Sequence, residues 1–248
     1  LQRARILDEA THIVGHQLFG GDQVIHRHGF RQEQAIPLHQ IGGGADARHL
    51  VRGVEQGVGH LTGDHVDFVA VGHRHEHIGI VGAGLMASQL ALLFVRQLKV
   101  PVILTDIDQE RIDKGVGYVH TEIEKLQGKG RLSPDAANRL KALVSGSLDK
   151  AAFAKTDFVI EAVFENMDVK KKVFAELEQF IAPETILATN TSSLSITEMA
   201  SGLEHPERVV GFHFFNPVAV LPLLEIIKGS KTDDATLATA FATAKSLK

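Results

Sequence analysis

The run Ile78-Gly-Ile-Val-Gly-Ala-Gly-Leu-Met-Ala87 constrains this chain more than any other stretch. It sets Gly82-x-Gly84-x-x-Ala87 directly after a short apolar strand and at the opening of a helix over residues 85–95. Gly82 permits a tight turn, Gly84 lets a phosphate approach the backbone at the helix N-terminus, and Ala87 is small enough for close helix packing. A tight strand-to-helix turn with no ligand has the same spacing, so the surrounding pattern has to decide between them.

Strand-like runs recur at residues 77–81, 100–105, 156–160, 185–189 and 208–212, with amphipathic stretches between several of them. In residues 169–181, for example, Val173, Phe174, Leu177 and Phe180 fall on one helical face. Short apolar strands alternating with helices imply an α/β fold of the Rossmann type, a doubly wound, mostly parallel sheet covered on both sides. The second strand ends at Asp106, about 20 residues beyond the glycines, where an acidic side chain accepts from the adenosine ribose. A carboxylate there repels a ribose 2'-phosphate, and the next residue, Ile107, supplies no arginine to offset it, so NAD is favoured over NADP. Asp106 could also cap a helix over residues 108–117.

Composition divides the chain near His77. Residues 1–77 hold 11 of the 14 histidines, 12 of the 23 glycines, seven arginines and no lysine, whereas all 14 lysines follow. No helical or strand period is sustained in that leader, which is therefore expected to be a weakly structured His/Gly-rich segment ahead of the folded unit at 78–248. Its last residues, His73-Arg-His-Glu-His77, could chelate zinc or nickel, but they read equally as a solvated connector, and no metal site is assigned. A net charge of -4 with both signs mixed offers no field for nucleic acid. The chain has no cysteine, no run approaching a membrane span and no apolar core of a signal peptide in its first 30 residues, so a cytoplasmic location is expected. The first residue is Leu1, not Met, as in a fragment.

Four motifs in order, Gly82-Ala-Gly-Leu-Met86, Val159-Ile-Glu-Ala-Val-Phe-Glu-Asn166, Ala188-Thr-Asn-Thr-Ser-Ser-Leu194 and Gly211-Phe-His-Phe-Phe-Asn-Pro217, closely resemble the 3-hydroxyacyl-CoA dehydrogenases of fatty acid β-oxidation. The likeness is greatest to the dehydrogenase part of multifunctional bacterial enzymes, and it covers residues 78–248. It implies NAD-dependent interconversion of 3-hydroxyacyl-CoA and 3-oxoacyl-CoA. His213 and Glu225 match the family's catalytic pair. The chemistry agrees, because oxidising a secondary alcohol needs a base of near-neutral pKa, and a carboxylate on the second imidazole nitrogen fixes the tautomer.

The same resemblance implies that Gly82, Ala83, Gly84, Leu85, Met86, Ala87, Asp106, Glu165, Lys170, Ser192 and Asn216 contact NAD. It further implies that Ser192 hydrogen-bonds the substrate oxygen and that Lys129 holds coenzyme A. Each has a plainer reading: Ser192, or better Ser193, as the N-cap of a helix at 196–200; Asn216 as a turn former before Pro217; Lys170 to Lys172 as a solvated helix face; Lys129 as part of a basic loop. The family's coenzyme A serine falls on Glu122, a departure for which the adjacent Thr121 could substitute.

Family members continue into an all-helical domain that supplies a further active-site Asn and most of the dimer interface. That domain is not recognised here, so the chain is expected to bind NAD and to turn over poorly. Two other readings stand beside the enzyme: a non-catalytic NAD-binding or structural protein, as among lens crystallin relatives, and another β-hydroxyacid dehydrogenase that relies on a lysine in its helical domain.

Overall fold

The computed structural model describes residues 3–8, 75–221 and 223–247. Its centre is an eight-stranded sheet: β1 Arg3–Asp8, β2 Ile78–Val81, β3 Val102–Thr105, β4 Val144–Gly146, β5 Phe158–Glu161, β6 Ile186–Thr189, β7 Val209–Phe214 and β8 Leu223–Lys228. The spatial order is β1-β8-β7-β6-β5-β2-β3-β4. From β4 to β7 every pairing is parallel, whereas β8 runs antiparallel to β7 and β1 parallel to β8. Counted from β2, the parallel strands follow the 3-2-1-4-5-6 order of a doubly wound dinucleotide fold, whose direction of winding reverses between β2 and β5.

Six helices are described: α1 Leu85–Leu98, α2 Gln109–Gly128, α3 Pro134–Ala142, α4 Met167–Glu178, α5 Ile196–Ala200 and α6 Asp234–Ser246. Five carry a side-chain N-cap, from Asp108, Ser133, Asn166, Ser195 and Asp233 respectively. These caps satisfy amides that the first helical turn leaves without partners. Among the described α-helices only α1, whose N-cap residue is Gly84, has no side-chain cap.

The central strands are buried on both faces, consistent with their continuous apolar sequences. Against one side pack Ala87, Leu90, Ala91, Phe94 and Val95 of α1. Against the other pack Phe153, Phe174 and Leu177. Gly79 is required where it stands, since a Cβ would lie 2.5 Å from the Phe153 ring. Phe158, Phe212 and Phe214 form a chain of edge-to-face contacts through the core, with centroids 5.3 and 5.4 Å apart.

Several expectations are corrected. The second helix does not stop at Gly117 but runs to Gly128, because Ile112, Val119 and Ile123 continue its buried face. Asp108, rather than Asp106, caps it. Ser195, rather than Ser192 or Ser193, caps α5. In α4 the buried face is Lys170, Phe174 and Leu177, while Phe180 lies beyond the helix end and is 41% exposed. Helix α3 and the three-residue β4 are additions that the apolar pattern was too short to announce.

The leader expected to be weakly structured lies outside the described residues, apart from β1 and residues 75–77. Within the His-rich run, His73 and Arg74 are likewise outside. His75 is buried, with Nδ1 2.6 Å from Asp157 Oδ1 and Nε2 2.6 Å from Thr243 Oγ1. These contacts tie the entry to β2 to the closing helix α6. Among the described residues no group of His, Asp or Glu could hold a metal ion, and no helix is long and apolar enough to cross a membrane.

Candidate active site

A cleft of about 350 Å³ opens at the carboxyl ends of the parallel strands, beside the point where winding reverses. Crevices in open α/β sheets take their ligands at this place. Met86, Glu165, Asn190, Ser192, His213 and Asn216 are among its lining residues. Four separate strand-to-loop junctions therefore converge on one volume.

His213 sits near the end of β7 and Glu225 near the start of β8, directly opposite in the antiparallel register. Nδ1 of His213 lies 3.0 Å from Oε2 of Glu225, and both residues are buried, at 5% and 2% exposure. A carboxylate only accepts, so Nδ1 carries the proton and Nε2 is the basic nitrogen. Phe215 packs on the imidazole at 4.5 Å between centroids and restricts the ring further. The turn after β7, at Asn216 and Pro217, brings Asn216 to the same cleft. Gln89 of α1 holds that turn twice, donating to Asn216 Oδ1 at 3.3 Å and accepting from Val218 N at 2.9 Å.

The glycine turn has the geometry of an anion cradle. Gly82 has φ +106°, and a Cβ there would lie 2.8 Å from the Ala162 carbonyl oxygen. Gly84 has an ordinary φ of -71°, and a Cβ there would meet nothing within 4 Å. The space in front of the N-terminus of α1 is therefore open, no acidic residue stands in the helix's first turn, and no side chain caps its amides. These features fit the pyrophosphate of a dinucleotide, with the helix dipole favouring its charge. Ala87 is fully buried against the sheet, and Leu85 is exposed on the outer side of the turn. Asp106, at the tip of β3, accepts from Ala83 N at 2.7 Å and so braces the turn on the side where a ribose would lie.

Glu165 organises the third wall. Its Oε1 accepts from Thr191 Oγ1 at 2.5 Å, Ser192 N at 2.9 Å, Ser192 Oγ at 3.3 Å and Ser193 N at 3.3 Å. Burial raises the Glu165 carboxyl pKa, but the Thr191 hydroxyl, the Lys170 charge and the Ser192 amide outweigh it and hold the group below the usual carboxylate range. Lys170 is not on a solvated face: its side chain is 1% exposed and its Nζ lies 2.7 and 2.8 Å from the two oxygens of Glu161. The physical reason is its place on α4, at i, i+4 and i+7 with Phe174 and Leu177, which turns it towards the sheet.

Lys129, by contrast, is the C-cap of α2, and neither it nor Thr121 or Glu122 lines the cleft. Glu122 pairs with Lys125 at 2.7 Å. Sequence reasoning passed over Asn190, which lines the cleft while accepting from Phe214 N at 2.8 Å, and Glu161, the counter-ion of Lys170. Both lie within quoted motifs at the ends of strands, the position where sites collect in this architecture, and that placement was the available signal.

Residues 77–248 match the family model described as 3-hydroxyacyl-CoA dehydrogenase, NAD binding domain. A fatty acid oxidation complex subunit alpha from Psychrobacter arcticus is 38% identical over 175 residues, covering 71% of this chain and 24% of that protein. The chain thus spans about a quarter of the length of such curated relatives. The crystal structure of (S)-3-hydroxybutyryl-CoA dehydrogenase from Ralstonia eutropha superposes with a TM-score of 0.66 at 36% identity, covering 70% of this chain and 61% of that one. The 3-hydroxybutyryl-CoA dehydrogenase of Escherichia coli gives a TM-score of 0.67 at 32% identity, over 70% of this chain and 36% of that one.

Proposed function

We infer the function from one premise: this chain belongs to the 3-hydroxyacyl-CoA dehydrogenase family, whose NAD-binding domain it carries. The reading best supported is NAD-dependent oxidation of a (S)-3-hydroxyacyl-CoA to the 3-oxoacyl-CoA, as a step of fatty acid β-oxidation. The observation that carries it is the His213–Glu225 pair, buried at the back of a cleft that the glycine-turn helix also reaches. A purely structural descendant would have no use for a base, its orienting carboxylate and Ser192 on one volume.

In this reading Gly82, Ala83, Gly84, Leu85, Met86 and Ala87 receive the pyrophosphate, Asp106 accepts from the ribose hydroxyls, and Glu165, Ser192 and Asn216 flank the nicotinamide half. NAD supplies the hydride acceptor. Nε2 of His213 takes the proton of the 3-hydroxyl, while Glu225 stabilises the imidazolium that results. General-base catalysis of this kind contributes on the order of 100- to 10,000-fold in rate. In the same reading the Ser192 hydroxyl bonds the substrate oxygen as it changes from hydroxyl to carbonyl. Lys129 is retained as the candidate contact for the coenzyme A end.

The test is spectrophotometric. NADH oxidation with acetoacetyl-CoA is measured for wild type and His213→Gln, together with NADH binding by fluorescence. Loss of turnover with unchanged NADH affinity supports the catalytic reading. Turnover that survives the substitution rejects it, and equal absence of NADH binding in both proteins removes the cofactor assignment as well.

A further inference from the structure

Gln89 stands half-buried one turn into α1, the helix that opens with the glycine turn. Its side chain reaches across to the turn that follows β7 and meets it at two points, Asn216 and Val218. The function proposed above gives Gln89 no part. Those two contacts nevertheless decide which chemical group the cleft presents to a ligand.

The two ends of the Gln89 amide are not interchangeable. A backbone N–H only donates, so the Gln89 atom that lies 2.9 Å from Val218 N is its carbonyl oxygen. The other end is then the NH2, which faces Asn216 at 3.3 Å. Because an NH2 only donates, Asn216 has to turn its own oxygen towards Gln89. Asn216 lines the cleft, and with its oxygen engaged the group left to the cleft is its NH2, which has no acceptor among the described residues. Val218 thus fixes Gln89, and Gln89 fixes the half of the Asn216 amide that a ligand meets.

The backbone around Asn216 is held on both sides. Two residues before it, Phe214 N donates to Asn190 Oδ1 at 2.8 Å, and two residues after it, Val218 is 4% exposed in the core. Pro217 has no N–H, so the Val218 amide is the first backbone donor after Asn216, and Gln89 takes it. Without Gln89 the Asn216 amide could present either half, since its O and NH2 differ little in size.

We propose that Gln89 is a positioning residue that holds Asn216 as a hydrogen-bond donor to the cleft, so that the ligand atom Asn216 meets is a carbonyl oxygen at the nicotinamide end of the bound dinucleotide. The proposal rests on the dinucleotide reading of the cleft. It gives Gln89 a part in selecting which groups the site accepts, beyond fastening the turn to α1.

The experiment sets NAD beside 3-acetylpyridine adenine dinucleotide, whose acetyl group offers an oxygen but no N–H in place of the carboxamide, by titration calorimetry on the 248-residue chain. Gln89→Glu keeps an oxygen for Val218 N and sets a second oxygen against Asn216, which then turns its NH2 to residue 89 and its oxygen to the cleft. The carboxamide of NAD can rotate to offer its own NH2, whereas the acetyl group cannot. The ratio of the acetylpyridine analogue's Kd to that of NAD is expected to rise about tenfold over wild type. The added charge acts on both dinucleotides alike and cancels in the ratio. An unchanged ratio overturns the proposal. Should Gln89→Glu fail to fold, Asn216→Asp presents an oxygen to the cleft whatever residue 89 does, and it carries the same expected rise and the same refutation. Wild type binding neither dinucleotide would reject the dinucleotide reading and the proposal together; wild type binding both, with a constant ratio in the variants, rejects the proposal alone.

Discussion

His213 and Glu225 stand directly opposite each other on antiparallel strands, Nδ1 3.0 Å from Oε2, although twelve residues separate them in sequence. Register, not proximity along the chain, makes them a pair, because a one-residue slip would turn Glu225 to the other face of the sheet. His213→Gln is expected to lower turnover of acetoacetyl-CoA by about 100- to 10,000-fold while leaving the NADH Kd unchanged. Glu225→Gln should retain part of the rate, since the amide oxygen still accepts from Nδ1 but no longer balances the imidazolium. Steady-state kinetics beside a binding titration checks both outcomes.

The two glycines of the turn should separate stability from binding. Gly82→Ala meets both the positive φ and the Ala162 carbonyl, so a loss of about 1–3 kcal/mol of stability is expected. Gly84→Ala has an allowed φ and free space, so thermal stability should stay within about 0.5 kcal/mol while NADH affinity falls about tenfold or more. Denaturation curves and NADH titrations of the two variants decide it. Undiminished NADH affinity in Gly84→Ala would mean that no pyrophosphate sits before α1.

In the proposed reading, the charge of Asp106 is what discriminates between the nicotinamide nucleotides. Asp106→Asn keeps an oxygen for Ala83 N but removes the repulsion of a 2'-phosphate. The ratio of NADPH to NADH affinity should rise about tenfold, an effect of roughly 1.4 kcal/mol that high salt reduces. Parallel titrations at low and high ionic strength provide the measurement.

Glu178 governs part of the acid stability. Burial raises its carboxyl pKa, but the amides of Glu204 and His205 and the Arg208 guanidinium at 2.9 Å outweigh burial and depress it. A depressed folded-state pKa gives stability that is present above the unfolded value, about 4.3, and lost as pH falls through the folded one. Glu178→Gln should therefore cost about 2 kcal/mol at pH 7, and the difference from wild type should shrink below about pH 4. Urea unfolding at several pH values would show a constant difference instead if the charge were irrelevant.

Much of this molecule was legible in its residues. The glycine turn and five of the parallel strands follow from short stretches read alone, and Asp106 and His213 were singled out there as candidate site residues. Turn glycines and apolar strands act locally: a positive φ at Gly82 or the apolar run of residues 158–160 has the same consequence wherever the rest of the chain goes. Helix caps were less legible, because Ser192, Ser193 and Ser195 are chemically interchangeable and only the path of the backbone selected Ser195.

The sequence alone thus determined the fold class and the candidate residues for binding and proton transfer. Tertiary structure decided which polar groups share an enclosed space. Lys170 is the first of three consecutive lysines that look solvated, yet packing of α4 carries it into contact with Glu161, and Glu161 with Thr189 across a strand pair. Burial of a charge depends on what packs over it, and that is a property of distant segments brought together by register and crossover, not of the residues beside it in the chain.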